Sequence, residues 1–158
     1  MKPNIGIQEK ILQGVTQLLN ALLADEYVLY TKTRNYHWNV TGPQFHDLHK
    51  FFEAQYEELN DIVDEVAERA RALGSWALGS LAEFSSATRL KESPEMPLHW
   101  KEMVSGLLAD HETVIRSLRG DLATCMEKYK DSGTSDFLTG LMEQHEKMSW
   151  MLRSLLTD

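Results

Sequence analysis

Cysteine is nearly absent: of 158 residues only Cys125 carries a thiol, and a lone cysteine cannot close an intrachain bridge, which excludes a disulfide scaffold. With 9 glycines and 4 prolines, the chain is too poor in both for a collagen-like repeat or a disordered linker protein. No apolar run approaches the roughly 18 to 20 residues that cross a bilayer, and residues 1–10 lack the basic and apolar regions of a signal peptide. A reducing cytoplasm is the compartment these absences predict. Basic side chains are a minority, 16 against 24 acidic, for a formal charge of −8. Because phosphate contacts need clustered Lys and Arg, cations are expected as partners ahead of nucleic acid.

What is present is helical periodicity. Apolar residues recur at spacings of three and four, strand-like alternation is missing, and the length suits one domain over residues 1–158. The spacing predicts a first helix from Ile7 to Asn35 with Leu12, Val15, Leu19, Leu22 and Leu29 inward, closed by the turn Asn39-Val40-Thr41-Gly42-Pro43. Pro43 suits the first position of a second helix, which Gly74 should stop after Leu73. Gly74, Gly79, Pro94 and Pro97 then mark a long connection with room for a short helix at Ser80–Thr88. A third helix, Leu98–Lys130, places Val104, Leu107, Leu118, Leu122 and Cys125 inward. A fourth, Ser135–Leu156, does the same for Leu138, Leu141, Met148, Leu152 and Leu155. Two long helices, a long connection and two more helices define an all-α, ferritin-like four-helix bundle with a short extra helix in the crossover.

Such bundles often hold two irons between Glu-x-x-His motifs. None of His37, His46, His49, His99, His111 or His145 has a Glu three residues before it. The second helix offers another arrangement. At about 100° per residue, with His49 at zero, Glu53 falls near 40°, Asp64 near 60° and Glu68 near 100°. Phe45, Phe52, Leu59, Ile62, Val63 and Val66 lie on the other side, at about 220° to 320°. His49 and Glu53 are one turn apart, as are Asp64 and Glu68, yet about 22 Å of helix separates the two pairs. Two antiparallel copies related by a two-fold axis would bring them together, so the expectation is a metal site shared between subunits. His37, joined to this helix by a short turn, could add to the His49 end. The same acids, with Glu57, Glu58, Asp61 and Glu65, also suit a merely solvated face.

The segment Asn35-Tyr-His37-Trp38-Asn39-Val-Thr-Gly42-Pro43-Gln-Phe45-His-Asp-Leu-His49, then Glu53 and Asp64-Glu-Val-Ala-Glu68-Arg69, closely resembles the signature of the Dps proteins, or miniferritins. The likeness extends to Thr134-Ser-Asp136-Phe-Leu138 and Lys147-Met-Ser-Trp150. It implies a single ferritin-like domain that assembles into a hollow shell of twelve subunits, with ferroxidase centres at two-fold interfaces. His37, His49 and Glu53 would come from one subunit and Asp64 and Glu68 from its partner. Two iron ions per site are implied, with zinc as a competitor for the same nitrogens and oxygens. The implied activity is iron(II) oxidation, preferentially with hydrogen peroxide, followed by storage of ferric mineral. Trp38 resembles the family's aromatic near that centre, an electron donor or an interface packing residue. Asp131 and Asp136 resemble pore-lining acids, though turn formation and helix capping suit them equally.

Glu26, His111 and His145 sit in otherwise apolar stripes and could form one core network, or an accessory metal or haem site. The seven methionines and Cys125 read as packing. Some relatives coat DNA through Lys-rich tails. This chain departs from them: Lys2 and Lys10 stand against Glu9 near one end, and Arg153 against Asp158 near the other. Weak or absent direct DNA binding is therefore expected, with protection by removing iron and peroxide. The alternative is a nucleoid-associated structural protein whose metal sites matter little.

Overall fold

A computed structural model describes residues 3–92, 94 and 98–157. It contains five helices: α1 Glu9–Asn39, α2 Phe45–Ala72, α3 Leu81–Ala87, α4 Trp100–Glu127 and α5 Ser132–Leu156. No strand occurs among the described residues. Helices α1 and α2 pair along their lengths, as do α4 and α5, and α3 lies against α1. The crossover between the two hairpins carries α3, as the glycine and proline spacing predicts; Pro97 lies outside the described residues.

The core follows the helical stripes. Val15, Leu19, Leu22 and Leu29 of α1, Phe52, Leu59, Ile62 and Val66 of α2, Val104, Leu107 and Leu118 of α4, and Leu138, Leu141 and Leu152 of α5 are all buried. Several predicted boundaries need correction. Helix α1 continues to Asn39 rather than ending at Asn35, because nothing before the extended Val40 interrupts its ladder. Pro43 is not the first helical residue: α2 begins at Phe45, after a turn in which Gly42 takes φ 109°. Helix α4 starts at Trp100 and stops at Glu127, and α5 begins at Ser132. Phe45 and Leu155, placed inward by periodicity, are exposed, since each lies near a helix end beyond the reach of the opposing helices.

Helix ends are set by local chemistry. Ser80 and Glu83 form a reciprocal capping box at α3. His99 and Glu102 do the same at α4, where the imidazole accepts from the Lys101 amide and the Glu102 carboxylate from the His99 amide. Gly74 ends α2 with φ 88°, and a Cβ there would lie 2.6 Å from the Pro3 ring. Only glycine fits both constraints.

Charged groups fasten the crossover to the bundle. Asp25, buried on α1, accepts from Arg89 Nε at 2.6 Å and from the Thr88 hydroxyl and the Arg89 amide. Arg89 also reaches Asp121 on α4 at 3.1 Å. Lys32 donates to Asp110 and to the Lys91 carbonyl, each at 2.6 Å. Phe84 stacks on Tyr27 with centroids 4.2 Å apart, burying the inner face of α3. The bundle itself rests on apolar contact. Truncating the fully buried Phe52 to alanine should therefore cost about 3–5 kcal/mol of stability, measured by urea unfolding at fixed protein concentration.

Candidate metal centre

The last turn of α1 and the first turns of α2 bring two imidazoles together. His37 and His49 stack with ring centroids 3.8 Å apart and an interplanar angle of 20°. Each is held by the other's backbone: His37 Nδ1 lies 2.8 Å from the His49 carbonyl, and His49 Nδ1 lies 2.8 Å from the His37 carbonyl. A carbonyl oxygen only accepts, so both Nδ1 atoms carry hydrogen and donate. In the neutral rings the lone pair is then on Nε2. This is the tautomer a metal ligand needs, fixed by the hydrogen bond its other nitrogen makes.

Aromatic and cationic groups frame the pair. Phe45 stacks on His49 at 5.1 Å, and Tyr56 meets the His37 ring edge-on at 5.2 Å. The Arg34 guanidinium lies over the rings of Tyr30, Trp38 and Tyr56 at 5.7, 5.3 and 5.4 Å and donates to the Tyr30 hydroxyl. Trp38 itself is 63% exposed. Glu53, one turn after His49, accepts from Lys50 Nζ at 2.6 Å. That hydrogen bond, aided by the charge of Lys50, holds the Glu53 carboxyl below its ordinary range. Glu53 is thus an anionic carboxylate with an exposed ammonium at one oxygen.

Asp64 and Glu68 are exposed on the same helix, beyond the reach of these histidines. Among the described residues, no three His, Cys, Asp or Glu side chains converge to hold an ion. Within one chain His37, His49 and Glu53 thus lie near one end of α2, Asp64 and Glu68 lie nearer the other, and the two groups stay apart. Sequence reasoning missed Arg34, Tyr56 and Lys50 as neighbours of the imidazoles. The positions of Arg34 and Tyr56 carried a signal, since each lies three residues from a ligand, one helical turn away.

The two acids flanking the start of α5 differ sharply. Asp131 is buried and caps the helix: Oδ1 accepts from the Thr134 amide at 3.0 Å and Oδ2 from the Thr134 hydroxyl at 2.6 Å. Arg69 donates to that hydroxyl and lies 3.8 Å from Asp131. Asp136 is exposed one turn later. Of the two, only Asp136 presents a free carboxylate at the surface of the chain.

Residues 16–158 match the family model described as a ferritin-like domain. An uncharacterized low temperature-induced protein of Nostoc is 46% identical over 97% of this chain and 86% of its own length. DNA protection during starvation protein 2 of Bacillus anthracis is 35% identical over 91% of this chain and 97% of its own. Among solved structures, the Dps protein of Vibrio cholerae, described as a member of a broad superfamily of ferritin-like diiron-carboxylate proteins, superposes with a TM-score of 0.93 at 31% identity. That superposition covers 99% of this chain and 97% of the other. Dps from Bacillus brevis gives 0.89 at 34%, over 96% and 100%. The fold and these matches define a ferritin-like protein, and the chain belongs to the Dps family within that class. As in the sequence reading, no helix among the described residues is long and apolar enough to cross a membrane.

If Asp131 acts as the cap of α5, Asp131→Ala should lower stability by about 1–2 kcal/mol. Asp136→Ala should stay within about 0.5 kcal/mol of the parent. Urea unfolding of the two variants side by side makes the comparison.

Proposed function

We propose that two chains pair through antiparallel α2 helices about a two-fold axis, and that each of the two composite sites so formed oxidises iron(II). The observation that carries this reading is the division of ligands along α2. His49 with Glu68, and Glu53 with Asp64, share one midpoint, between Glu58 and Leu59. A two-fold axis at that point sets His49 opposite the partner's Glu68 and Glu53 opposite the partner's Asp64 in a single register. Both imidazoles already hold the ligating tautomer.

Iron(II) is the substrate this donor set fits. Imidazole nitrogen with carboxylate oxygen suits a first-row divalent ion, and zinc competes for the same atoms. Carboxylates favour the more highly charged product, so oxidation strengthens their hold. With two ferrous ions at the site, each gives one electron to hydrogen peroxide, the O–O bond breaks, and the oxygens leave as hydroxide. No hydroxyl radical is released. In this reading Trp38, exposed beside His37, packs against the partner chain or, where only one ferrous ion is bound, gives peroxide its second electron.

Twelve chains would close into a shell that stores the ferric product. Cations would enter past exposed carboxylates such as Asp136, focused by the charge of −8 on each chain. The same charge disfavours direct contact with DNA, so DNA is guarded by removing iron and peroxide in the cytoplasm; Lys2 and Asp158 lie outside the described residues. Residues 1–158 act as one domain throughout. Stopped-flow measurement of iron(II) oxidation by peroxide tests the site. His49→Ala and Asp64→Ala should each slow the reaction at least about 10- to 100-fold, and parental rates in both would refute the assignment.

A further inference from the structure

The proposed metal site leaves aside three fully buried ionisable groups. Glu26 on α1, His145 on α5 and His111 on α4 have no exposed surface. Glu26 Oε1 lies 2.9 Å from His145 Nε2, and His145 Nδ1 lies 2.9 Å from His111 Nδ1. His145 thus bridges the other two through both ring nitrogens. In this arrangement no point lies within reach of all three side chains for a single metal ion.

Hydrogen is what these contacts require. An approach of 2.9 Å between two nitrogens, or between nitrogen and a carboxylate oxygen, sets lone pair against lone pair unless one proton lies between them. Two protons in two contacts leave the cluster with the whole charge of one carboxylate, at a site with no exposed surface. Buried charge without compensation is strongly disfavoured. A third proton makes the cluster neutral. Every arrangement that keeps both contacts places it on an outer atom, His111 Nε2 or Glu26 Oε2, and these two atoms have no other partner.

Among the described residues, no ion pair other than that of His145 with Glu26 reaches the cluster. The buried polar side chains of α2 and α5 include Gln55, whose amide donates to the Met148 carbonyl, and Ser149. The remaining charged side chains nearby on these helices are engaged elsewhere: Asp25 with Arg89, Lys32 with Asp110, Glu112 with Arg153 and Glu146 with Arg119. We propose that Glu26, His145 and His111 form a buried proton-binding site, which in the folded chain holds one proton more than the same side chains hold in neutral water and so ties stability to pH. A fourth proton is opposed at His111, where burial and then the neighbouring His145 push the imidazole well below its ordinary range.

The direction of the linkage follows from proton counts. At pH 7 to 8.5 the unfolded carboxyl holds none and each unfolded imidazole about one, so the folded cluster holds three against two and stability falls as pH rises. Between about pH 4.3 and 6.5 both unfolded imidazoles charge, giving four against three, and stability falls as pH falls. Glu26→Gln still accepts from His145 but carries no proton of its own, so it removes the alkaline dependence. Urea unfolding of parent and variant from pH 7 to 8.5, at one protein concentration, reads this directly. The parent's folding constant should fall relative to the variant's by about tenfold per pH unit. Should Glu26→Gln fail to fold, the apolar variant Glu26→Leu, His111→Phe, His145→Phe provides the same reference. Parallel pH profiles of the parent and either reference would overturn the proposal.

Discussion

The length of rigid helix between His49 and Asp64, fifteen residues or about 22 Å, is the constraint on which the functional architecture turns. Side chains cannot span it, and α2 runs unbroken from Phe45 to Ala72. Ligands that would otherwise be candidates for one ion are kept apart within a chain. On the proposed reading, chemistry at this surface depends on association. The reciprocal bonds between His37 and His49 make the arrangement economical, because each backbone carbonyl orients the other residue's ring and both Nε2 atoms are free before any partner arrives. The organisation the imidazoles would otherwise need on metal binding is already present in the fold.

Polar groups fall into two populations with opposite roles. Exposed acids on α2 cost little while solvated and can attract cations from a distance. Buried ones must be matched. Asp25 meets Arg89 and Thr88, Lys32 meets Asp110, and Asp131 meets its own helix start and Arg69. Through Asp25 with Arg89 and through the bond of Lys32 to the Lys91 carbonyl the crossover is tied to α1, whose last turn bears His37. The Glu26, His145 and His111 cluster differs, since its two outermost atoms, Glu26 Oε2 and His111 Nε2, have no hydrogen-bond partner among the described residues.

Much of this was legible in the sequence. Periodicity located the four long helices and nearly all the core, the glycines and prolines of the crossover left room for the short α3, and residue spacing placed His49, Glu53, Asp64 and Glu68 on one non-core face. Boundaries were less legible, as Asn35, Pro43 and Ser135 show: turn residues mark that a helix ends, while the place is set by backbone geometry at Val40 and Gly42 and by the Asp131 cap at α5. The stacking of His37 on His49 is a tertiary fact that no spacing encodes, because it depends on how the turn at Gly42 folds α2 back along α1. Asp131 illustrates the converse. Its sequence context suited a pore and a cap alike, and only its burial and its bonds to Thr134 show the cap.

The central claim is that each catalytic site is built from two chains, and subunit complementation tests it most directly. Particles of His49→Ala and particles of Asp64→Ala should each be nearly inactive in peroxide-driven iron(II) oxidation. When the two variants are unfolded, mixed in equal amounts and reassembled, half of the dimers contain one chain of each kind. Each such dimer regains one intact site, joining His49 of the Asp64→Ala chain to Asp64 of the His49→Ala chain. Activity should return to about a quarter of the parental value. Activity that stays at the level of the separate variants, with mixed particles shown to have formed, would contradict a shared site.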